Sequence, residues 1–149
     1  AVVTTPLQAK KPLKSTSLMS FKEIAVGDHS FQGKEKPIRL KDLTENPLIS
    51  LGQGSTTYEF YSKFFLENDL VLSPDTEVET IDQVLPLIMN GLGIGFLPEL
   101  FVRPVIEEGK VCQIPLKENI PEREICLVEN HTFPPSITAE MFKKMLVLK

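Results

Sequence analysis

A segment rich in glycine and hydroxyl side chains, 51–57 (Leu-Gly-Gln-Gly-Ser-Thr-Thr), has residue types and spacing that could bind a ligand. It lies between a short apolar run, 47–51, and a stretch with helical periodicity that begins at Tyr58. Glycines allow a tight turn, and a helix start offers unpaired backbone N–H groups and a partial positive charge. The segment is therefore a candidate receptor for a carboxylate, sulfate or phosphate. The alternative is ordinary N-capping by a serine or threonine, worth about 1 kcal/mol.

Aromatic residues are concentrated directly after this segment. Five of the eleven in the chain recur there, mostly at three- and four-residue spacing: Tyr58, Phe60, Tyr61, Phe64 and Phe65. This spacing predicts one helix face buried against a sheet. Tyr58 is nearest to the helix start and is the best candidate for a ligand contact.

A second glycine-rich segment, 91–96 (Gly-Leu-Gly-Ile-Gly-Phe), has some features of a phosphate-binding loop. A dinucleotide fingerprint, however, follows a strand and opens a helix, with a third glycine three positions after the second. Here the glycines follow a helical pattern and lead into a strand-like run, and Phe96 occupies the third position. We predict that this segment packs a helix end closely against a strand.

Residues typical of catalytic or metal sites are sparse. His29 and His131 lie in polar, turn-like segments, and no HExxH, GxSxG or P-loop pattern is present. Cys112 and Cys126 lie in apolar runs, and two cysteines are too few for a disulfide framework or a four-ligand metal site. The sequence therefore gives no support for an enzyme, a metal or a cofactor.

Segments with strand and helix patterns alternate along the chain. Strands are expected at 1–5 (buried), 21–27, 47–51, 76–79, 94–98, 111–115 and 124–128. Helices are expected at 40–43, 58–68, 80–90, 99–108 and after Ser136. The polar, lysine-rich residues 7–20 are expected to be a connector. Strands separated by helices of this length indicate an α/β fold with a mainly parallel sheet.

Composition and charge argue against DNA binding by this chain alone and against membrane association. The 149 residues are 42% apolar and 24% charged, as in soluble globular domains, and 16 Lys/Arg against 20 Asp/Glu give a net charge of −4. An acidic chain is a poor candidate for binding DNA by itself. No run of 18 apolar residues and no charged-then-apolar leader is present, so we expect no membrane association and a cytoplasmic location.

From Phe21 onward the sequence resembles the effector-binding (substrate-binding) domain of LysR-type transcriptional regulators. The most specific piece is 88–99 (Ile-Met-Asn-Gly-Leu-Gly-Ile-Gly-Phe-Leu-Pro-Glu), which is similar to the family's helix end, glycine turn, apolar strand and Pro-Glu. Supporting pieces are 28–31, 40–43 with 47–49, and 106–111 with 114–116. Each piece is degenerate alone, and the resemblance depends on their order and spacing.

The resemblance implies two Rossmann-like subdomains, similar to type-2 periplasmic binding proteins, with a small-molecule effector in the cleft between them. Residues 1–19 would be a crossover strand and connector of an incomplete first subdomain. Residues 20–130 would be the second subdomain, and 131–149 the returning C-terminal helix of the first. DNA would be bound only through a helix-turn-helix domain encoded upstream of Ala1, and the full-length protein would be a homodimer or homotetramer.

In this family the effector contacts come from a hydroxyl-rich helix start in each subdomain and from the crossover strands. Carried over by motif, they fall on Thr4, Thr5, Gln53, Gly54, Ser55, Thr56, Thr57, Tyr58 and Thr80. The resemblance implies no catalytic residue, metal or cofactor.

The resulting hypothesis is a domain that senses a small, anionic effector in order to control transcription. A solute-binding protein of a transport system has a similar architecture and is the alternative, but it would need a secretion signal. An α/β enzyme of unknown activity is a third interpretation.

Overall fold

The computed structural model describes residues 1–4, 12–33 and 35–147. Its strands are β1 (Val2–Val3), β2 (Leu13–Phe21), β3 (Glu23–Asp28), β4 (Leu48–Leu51), β5 (Thr76–Val78), β6 (Ile94–Pro98), β7 (Val111–Ile114) and β8 (Arg123–Asn130). Its α-helices are α1 (Leu40–Leu43), α2 (Thr56–Glu67), α3 (Ile81–Met89), α4 (Glu99–Glu107) and α5 (Ile137–Val147). A 3₁₀ turn, His29–Phe31, follows β3. In the described parts of the chain, no helix combines the length and apolar character that crossing a bilayer requires.

The chain forms two compact units. Unit 1 contains Ala1–Phe21 and Glu122–Lys149, and unit 2 contains Lys22–Pro121. The chain enters unit 2 at Lys22, within two residues of the start at 20 that the resemblance implied for the second subdomain. It returns before β8, whereas the sequence suggested a boundary after residue 130, because β8 pairs with strands of unit 1.

Unit 2 is built on a five-stranded sheet with the order β5-β4-β6-β3-β7. β4 is parallel to β5 and β6, while β3 is antiparallel to both β6 and β7. Four of the five strands therefore run in one direction. The prediction of a mainly parallel sheet is confirmed for this unit, and β3 is the reversed strand.

Each face of this sheet carries a hydrophobic cluster, because successive side chains of a strand point to opposite faces. The aromatic residues of α2 pack on one face, together with the apolar residues of α1. The apolar residues of α3 and Val102 of α4 pack on the other. Tyr61, Phe64 and Phe65 are buried, and the Phe65 and Phe96 ring centroids lie 6.0 Å apart. The predicted burial of this aromatic face is confirmed.

The glycine-rich segment 91–96 is a packing element, as the sequence predicted. Gly93 has a φ of +156°, and a Cβ there would lie 2.5 Å from the Pro47 carbonyl oxygen. A Cβ at Gly95 would lie 2.7 Å from Val84 Cγ1 on α3. The glycines let β6 approach both the chain before β4 and the helix α3.

Unit 1 contains a three-stranded antiparallel sheet with the order β1-β8-β2. The strand β2 corrects the expectation of a connector at 7–20 for the residues from 13 onward, while 7–11 lie outside the described residues. The side chains of β2 are mostly exposed, so the strand has no apolar alternation that the sequence could show. The expected burial of the strand at 1–5 is also wrong for the described part, because Val2 is exposed.

The last helix begins where the sequence predicted, with Ser136 Oγ accepting a hydrogen bond from the Ala139 N–H at 3.2 Å. Its predicted apolar face is largely exposed, and Ile137 is 80% exposed.

Candidate functional site

The hydroxyl-rich segment forms a tight turn between β4 and α2. The Gly52 N–H donates to the Val78 carbonyl oxygen at 3.1 Å, and the Ser55 N–H donates to the Gly52 carbonyl oxygen at 3.3 Å. Gly54 has a φ of +90°, a conformation that side chains with a Cβ rarely adopt. The turn therefore requires the glycine, and it fixes the position at which α2 begins.

Ser55 is the N-cap residue of α2. Its Oγ accepts a hydrogen bond from the Tyr58 N–H at 3.0 Å, and its carbonyl oxygen accepts from the Glu59 N–H at 3.0 Å. N-capping, the alternative considered from the sequence, is thus observed for this serine. It occupies one acceptor site of Ser55 Oγ and leaves the hydroxyl proton for a ligand acceptor.

Tyr58 contributes mainly to the core. Its ring packs against the hydrophobic cluster that α1 and α2 form on one face of the five-stranded sheet. Its hydroxyl donates to the Leu72 carbonyl oxygen at 3.5 Å. This hydrogen bond ties the tyrosine to the chain that follows α2. The part of Tyr58 at the helix start is its backbone N–H, which Ser55 already binds.

The remaining predicted residues of this segment lie at the surface or near it. Gln53, Gly54 and Thr56 are exposed, and Thr57 is half-buried. The N–H of Thr56 belongs to the first turn of α2, where a helix supplies no backbone acceptor. The start of α2 therefore presents an exposed hydroxyl, a polar amide side chain and the positive end of a helix dipole to a solute.

The start of α3 lies at the same edge of the sheet, because β4 and β5 are parallel and both are followed by a helix. Thr80 immediately precedes α3, and its N–H donates to Gln83 Oε1 at 3.3 Å. The Glu79 N–H donates to the same oxygen at 3.0 Å. The structure thus places Thr80 and residues 53–58 at the carboxyl ends of adjacent parallel strands, where open α/β sheets bind ligands.

Carboxylates flank these helix starts. A Cβ at Gly52 would lie 3.4 Å from Glu77 Oε2, which locates that carboxylate beside the turn. Glu59 and Asp82 lie in the first turns of α2 and α3. Their charges complement the helix dipoles and also oppose an incoming anion. Sequence reasoning did not assign Glu77 to the site, because the register that pairs Ser50 with Glu77 in the parallel strands β4 and β5 cannot be deduced from the sequence.

A small cavity lies beneath the start of α2. It holds about 10 Å³ and is lined by residues that include Ser50, Thr57 and Tyr61. A cavity needs roughly 10–15 Å³ for one water molecule, so no effector fits inside it. An effector at this helix start must bind from the solvent side.

In unit 1 the predicted residue Thr4 follows β1 and is exposed; Thr5 lies outside the described residues. Thr4 Oγ1 accepts a hydrogen bond from Arg123 Nη2 at 3.2 Å. Arg123 begins β8 and is only 6% exposed. Sequence reasoning missed this arginine, because a single charged residue ahead of an apolar strand gives no sign that it is buried.

The residues with possible catalytic or metal-binding chemistry are dispersed. His29 and His131 are exposed, Cys112 is half-buried and Cys126 is buried. Within residues 1–4, 12–33 and 35–147, no group of three His, Cys, Asp or Glu side chains is arranged to hold a metal ion.

Comparison with known proteins identifies the family. A family model of the LysR substrate binding domain matches residues 1–147. The chain belongs to the LysR substrate-binding domain family. The resemblance drawn from the sequence is therefore confirmed.

A relative of this LysR substrate-binding domain is YwqM of Bacillus subtilis (strain 168), an uncharacterized HTH-type transcriptional regulator. The two are 29% identical over 100 residues, which make up 67% of this chain and 33% of YwqM. The chain thus spans less than two thirds of that relative's length.

Two solved structures share the fold. The regulatory domain of Synechocystis PCC6803 CcmR, in complex with 2-PG, gives a TM-score of 0.83 at 14% identity, over 99% of this chain and 71% of that one. The effector-binding domain of QuiR, in complex with shikimate, gives a TM-score of 0.79 at 16% identity, over 97% of this chain and 68% of that one. The LysR substrate-binding domain described here therefore has the periplasmic-binding-protein-like α/β fold that the sequence predicted.

Proposed function

We propose that this chain is the effector-sensing domain of a LysR-type transcriptional regulator and that it binds a small anionic metabolite. The observation that carries the proposal is the start of α2, where a glycine turn exposes the Thr56 hydroxyl at the positive end of a helix. The ligands bound to CcmR and QuiR, 2-PG and shikimate, support a small organic effector.

The proposed contacts differ in kind. Thr56 and Ser55 donate their hydroxyl protons to an oxygen of the effector, and the N–H groups at 54–57 add the field of the helix start. Gln53 supplies a side-chain amide and Thr80 a second hydroxyl at the start of α3. Tyr58 contributes indirectly, because its N–H is bound by Ser55 Oγ and so holds that hydroxyl at the helix start. Thr4 and Thr5 provide contacts on unit 1; the family resemblance implies that the effector lies between the subdomains.

The rest of the proposal concerns the longer protein. The domain would have two conformational states, and the effector would favour the state that it binds more tightly. The difference in binding free energy between the two states is typically about 1–3 kcal/mol. A helix-turn-helix domain elsewhere in the protein would bind DNA, and the protein would act as a cytoplasmic homodimer or homotetramer. The domain itself would have no catalytic activity and no cofactor.

The test is direct measurement of anion binding by the purified chain. Acetate, inorganic phosphate, 2-PG and shikimate are titrated by calorimetry against the wild type and Thr56→Val, which removes the hydroxyl and keeps the shape. We expect at least one probe to bind and the variant to bind it about tenfold more weakly, as for a lost hydrogen bond to a charged group.

Thr16→Val is the matched control, because Thr16 is exposed on β2 in unit 1. Both variants should melt within a few degrees of the wild type. Equal affinity of the wild type and Thr56→Val for every probe, or no binding of any probe, contradicts the proposal.

A further inference from the structure

Arg123 is a buried cation that no part of the proposed function has used. It begins β8, and only 6% of its surface is exposed. Its Nη2 lies 3.2 Å from Thr4 Oγ1, and its guanidinium carbon lies 5.6 Å from the centre of the Phe21 ring. Charged side chains are rarely buried to this extent, because removal from water costs several kcal/mol per ion.

Arg123 lies close to the ends of two other strands of unit 1 and to the exposed Thr4. Thr4 directly follows β1, Phe21 ends β2 and Arg123 begins β8, and Phe21 is paired with Arg123 in the sheet. The sheet order β1-β8-β2 places Arg123 on the central strand. Strand pairing thus fixes the backbone of Arg123, and the Phe21 ring lies within cation–π distance of the guanidinium that donates to Thr4.

The hydrogen bond has a fixed direction. A guanidinium carries five donors and no acceptor, so Thr4 Oγ1 must be the acceptor. The hydroxyl proton of Thr4 then remains available for donation, and acceptance from a cation strengthens it as a donor. Since Thr4 is exposed and Arg123 is not, a solute meets the hydroxyl rather than the guanidinium.

We propose that Arg123 is a positioning residue that makes Thr4 a committed hydrogen-bond donor to an anionic oxygen of the effector. The inference rests on the proposed function and deepens it. It assigns to unit 1 a preference for a ligand group with acceptor atoms only, such as a carboxylate or phosphate, and it gives the buried arginine a role in selecting that group.

The experiment measures the affinity for inorganic phosphate and for shikimate in five chains: the wild type, Thr4→Val, Thr4→Ser, Arg123→Lys and the double variant Thr4→Val/Arg123→Lys. Thr4→Val should weaken binding of at least one probe about tenfold, while Thr4→Ser, which keeps the hydroxyl, should stay within about twofold. Arg123→Lys alone should bind the probe more weakly than the wild type. The double variant Thr4→Val/Arg123→Lys should bind it as strongly as Thr4→Val alone. Such non-additivity separates positioning through Thr4 from a general structural effect.

Phe21→Leu is the substitute for Arg123→Lys if circular dichroism shows that Arg123→Lys does not fold. It removes the ring beside the guanidinium and keeps the charge, and its effect on affinity should likewise disappear in the Thr4→Val background.

Three outcomes overturn the inference, and they are distinguishable. If Thr4→Val binds like the wild type while Thr56→Val loses affinity, Thr4 is not a contact and the proposed function stands. If the effects of the Arg123 and Thr4 variants add, the arginine does not act through Thr4. If the wild type binds neither phosphate nor shikimate nor any other probe of the calorimetric panel, the proposed anion site fails as well.

Discussion

The Ser55 side chain is hydrogen-bonded to the backbone of Tyr58: Ser55 Oγ accepts from the Tyr58 N–H at 3.0 Å, three residues into α2. This bond satisfies one of the N–H groups that a helix start leaves without a partner. Ser55 therefore stabilises the helix whether or not a ligand is bound, whereas Thr56 contributes no such cap.

Replacement of the cap should lower stability. We expect Ser55→Ala to reduce the free energy of unfolding by about 1 kcal/mol in urea denaturation, and Ser55→Asn to retain most of it, because asparagine also caps helices. Thr56→Val should leave stability nearly unchanged. Identical urea midpoints for Ser55→Ala and the wild type would show that the cap contributes nothing measurable.

Removal of the Glu77 charge should strengthen anion binding. Glu77 Oε2 lies beside the Gly52 turn, so it repels an anion that approaches the start of α2. At separations of about 7 Å in water, one unit charge contributes roughly 0.6 kcal/mol, which is close to threefold in affinity. Calorimetry of Glu77→Gln with the probe that binds the wild type best should show this gain.

The matched control for this effect is Glu67→Gln. Glu67 is the last residue of α2, at the opposite end of the helix from the turn, where it pairs with Lys63 at 3.7 Å. It should leave anion affinity unchanged. The gain from Glu77→Gln should shrink as salt rises, since the Debye length is only about 3 Å at 1 M. A gain independent of salt would mean that Glu77 acts by shape rather than by charge.

Gly93 should tolerate no side chain. Its φ of +156° is unfavourable for other residues, and a Cβ would lie 2.5 Å from the Pro47 carbonyl oxygen, where backbone leaves little freedom to shift. We expect Gly93→Ala to lower the unfolding free energy of unit 2 by about 3 kcal/mol or more.

Gly109→Ala is the comparison in which a positive φ occurs without a close contact. Gly109 has a φ of +72° with open space around its Cβ position, so alanine there should cost about 1 kcal/mol. If both alanine variants lose equal stability, the contact with Pro47 is not a constraint on the fold.

Much of unit 2 could be predicted because its elements are amphipathic or buried. Tyr61 and Phe65 recur at four-residue spacing, and both are buried on one face of α2. The helix-to-strand turn at Gly91 and Gly93 could be predicted from the order of the patterns around it. Periodicity signals burial, and in this unit burial determines the local structure.

The strand β2 and the partners of the candidate site could not be predicted in the same way. β2 is held by backbone pairing with β8, and its mostly exposed side chains show no apolar alternation from which a strand could be predicted. Glu77 lies beside the Gly52 turn in unit 2, and Arg123 lies beside Thr4 in unit 1. Both positions depend on strand registers that join residues distant in sequence. The sequence predicts Thr56 and Ser55 alike as ligand contacts, whereas the structure shows that Ser55 Oγ already accepts a hydrogen bond from the Tyr58 N–H.

The attachment of α5 to unit 1 should depend on pH through Glu129. Lys143 Nζ on α5 lies 2.8 Å from Glu129 Oε1 on β8. The hydrogen bond from Lys143 is the main cause that holds the pKa of Glu129 below its ordinary value, and partial desolvation opposes it. A carboxyl with a lowered pKa in the folded state stabilises that state above its unfolded pKa. The contribution is lost as pH falls through the lowered pKa.

Carboxyl-resolved NMR titration of the folded chain measures this pKa directly. We expect Lys143→Met to move the pKa of Glu129 up toward the ordinary glutamate value, and the neighbouring control Lys144→Met to leave it in place. Glu129→Gln should remove the same part of the acid dependence of unfolding as Lys143→Met does.

Because the apolar residues of α5 are largely exposed, the ion pair between Lys143 and Glu129 should be a principal link between the helix and the sheet. Helix signals of α5 should therefore broaden in acid before those of the β8 strand. An unchanged Glu129 titration in Lys143→Met would show that the pair does not form in solution.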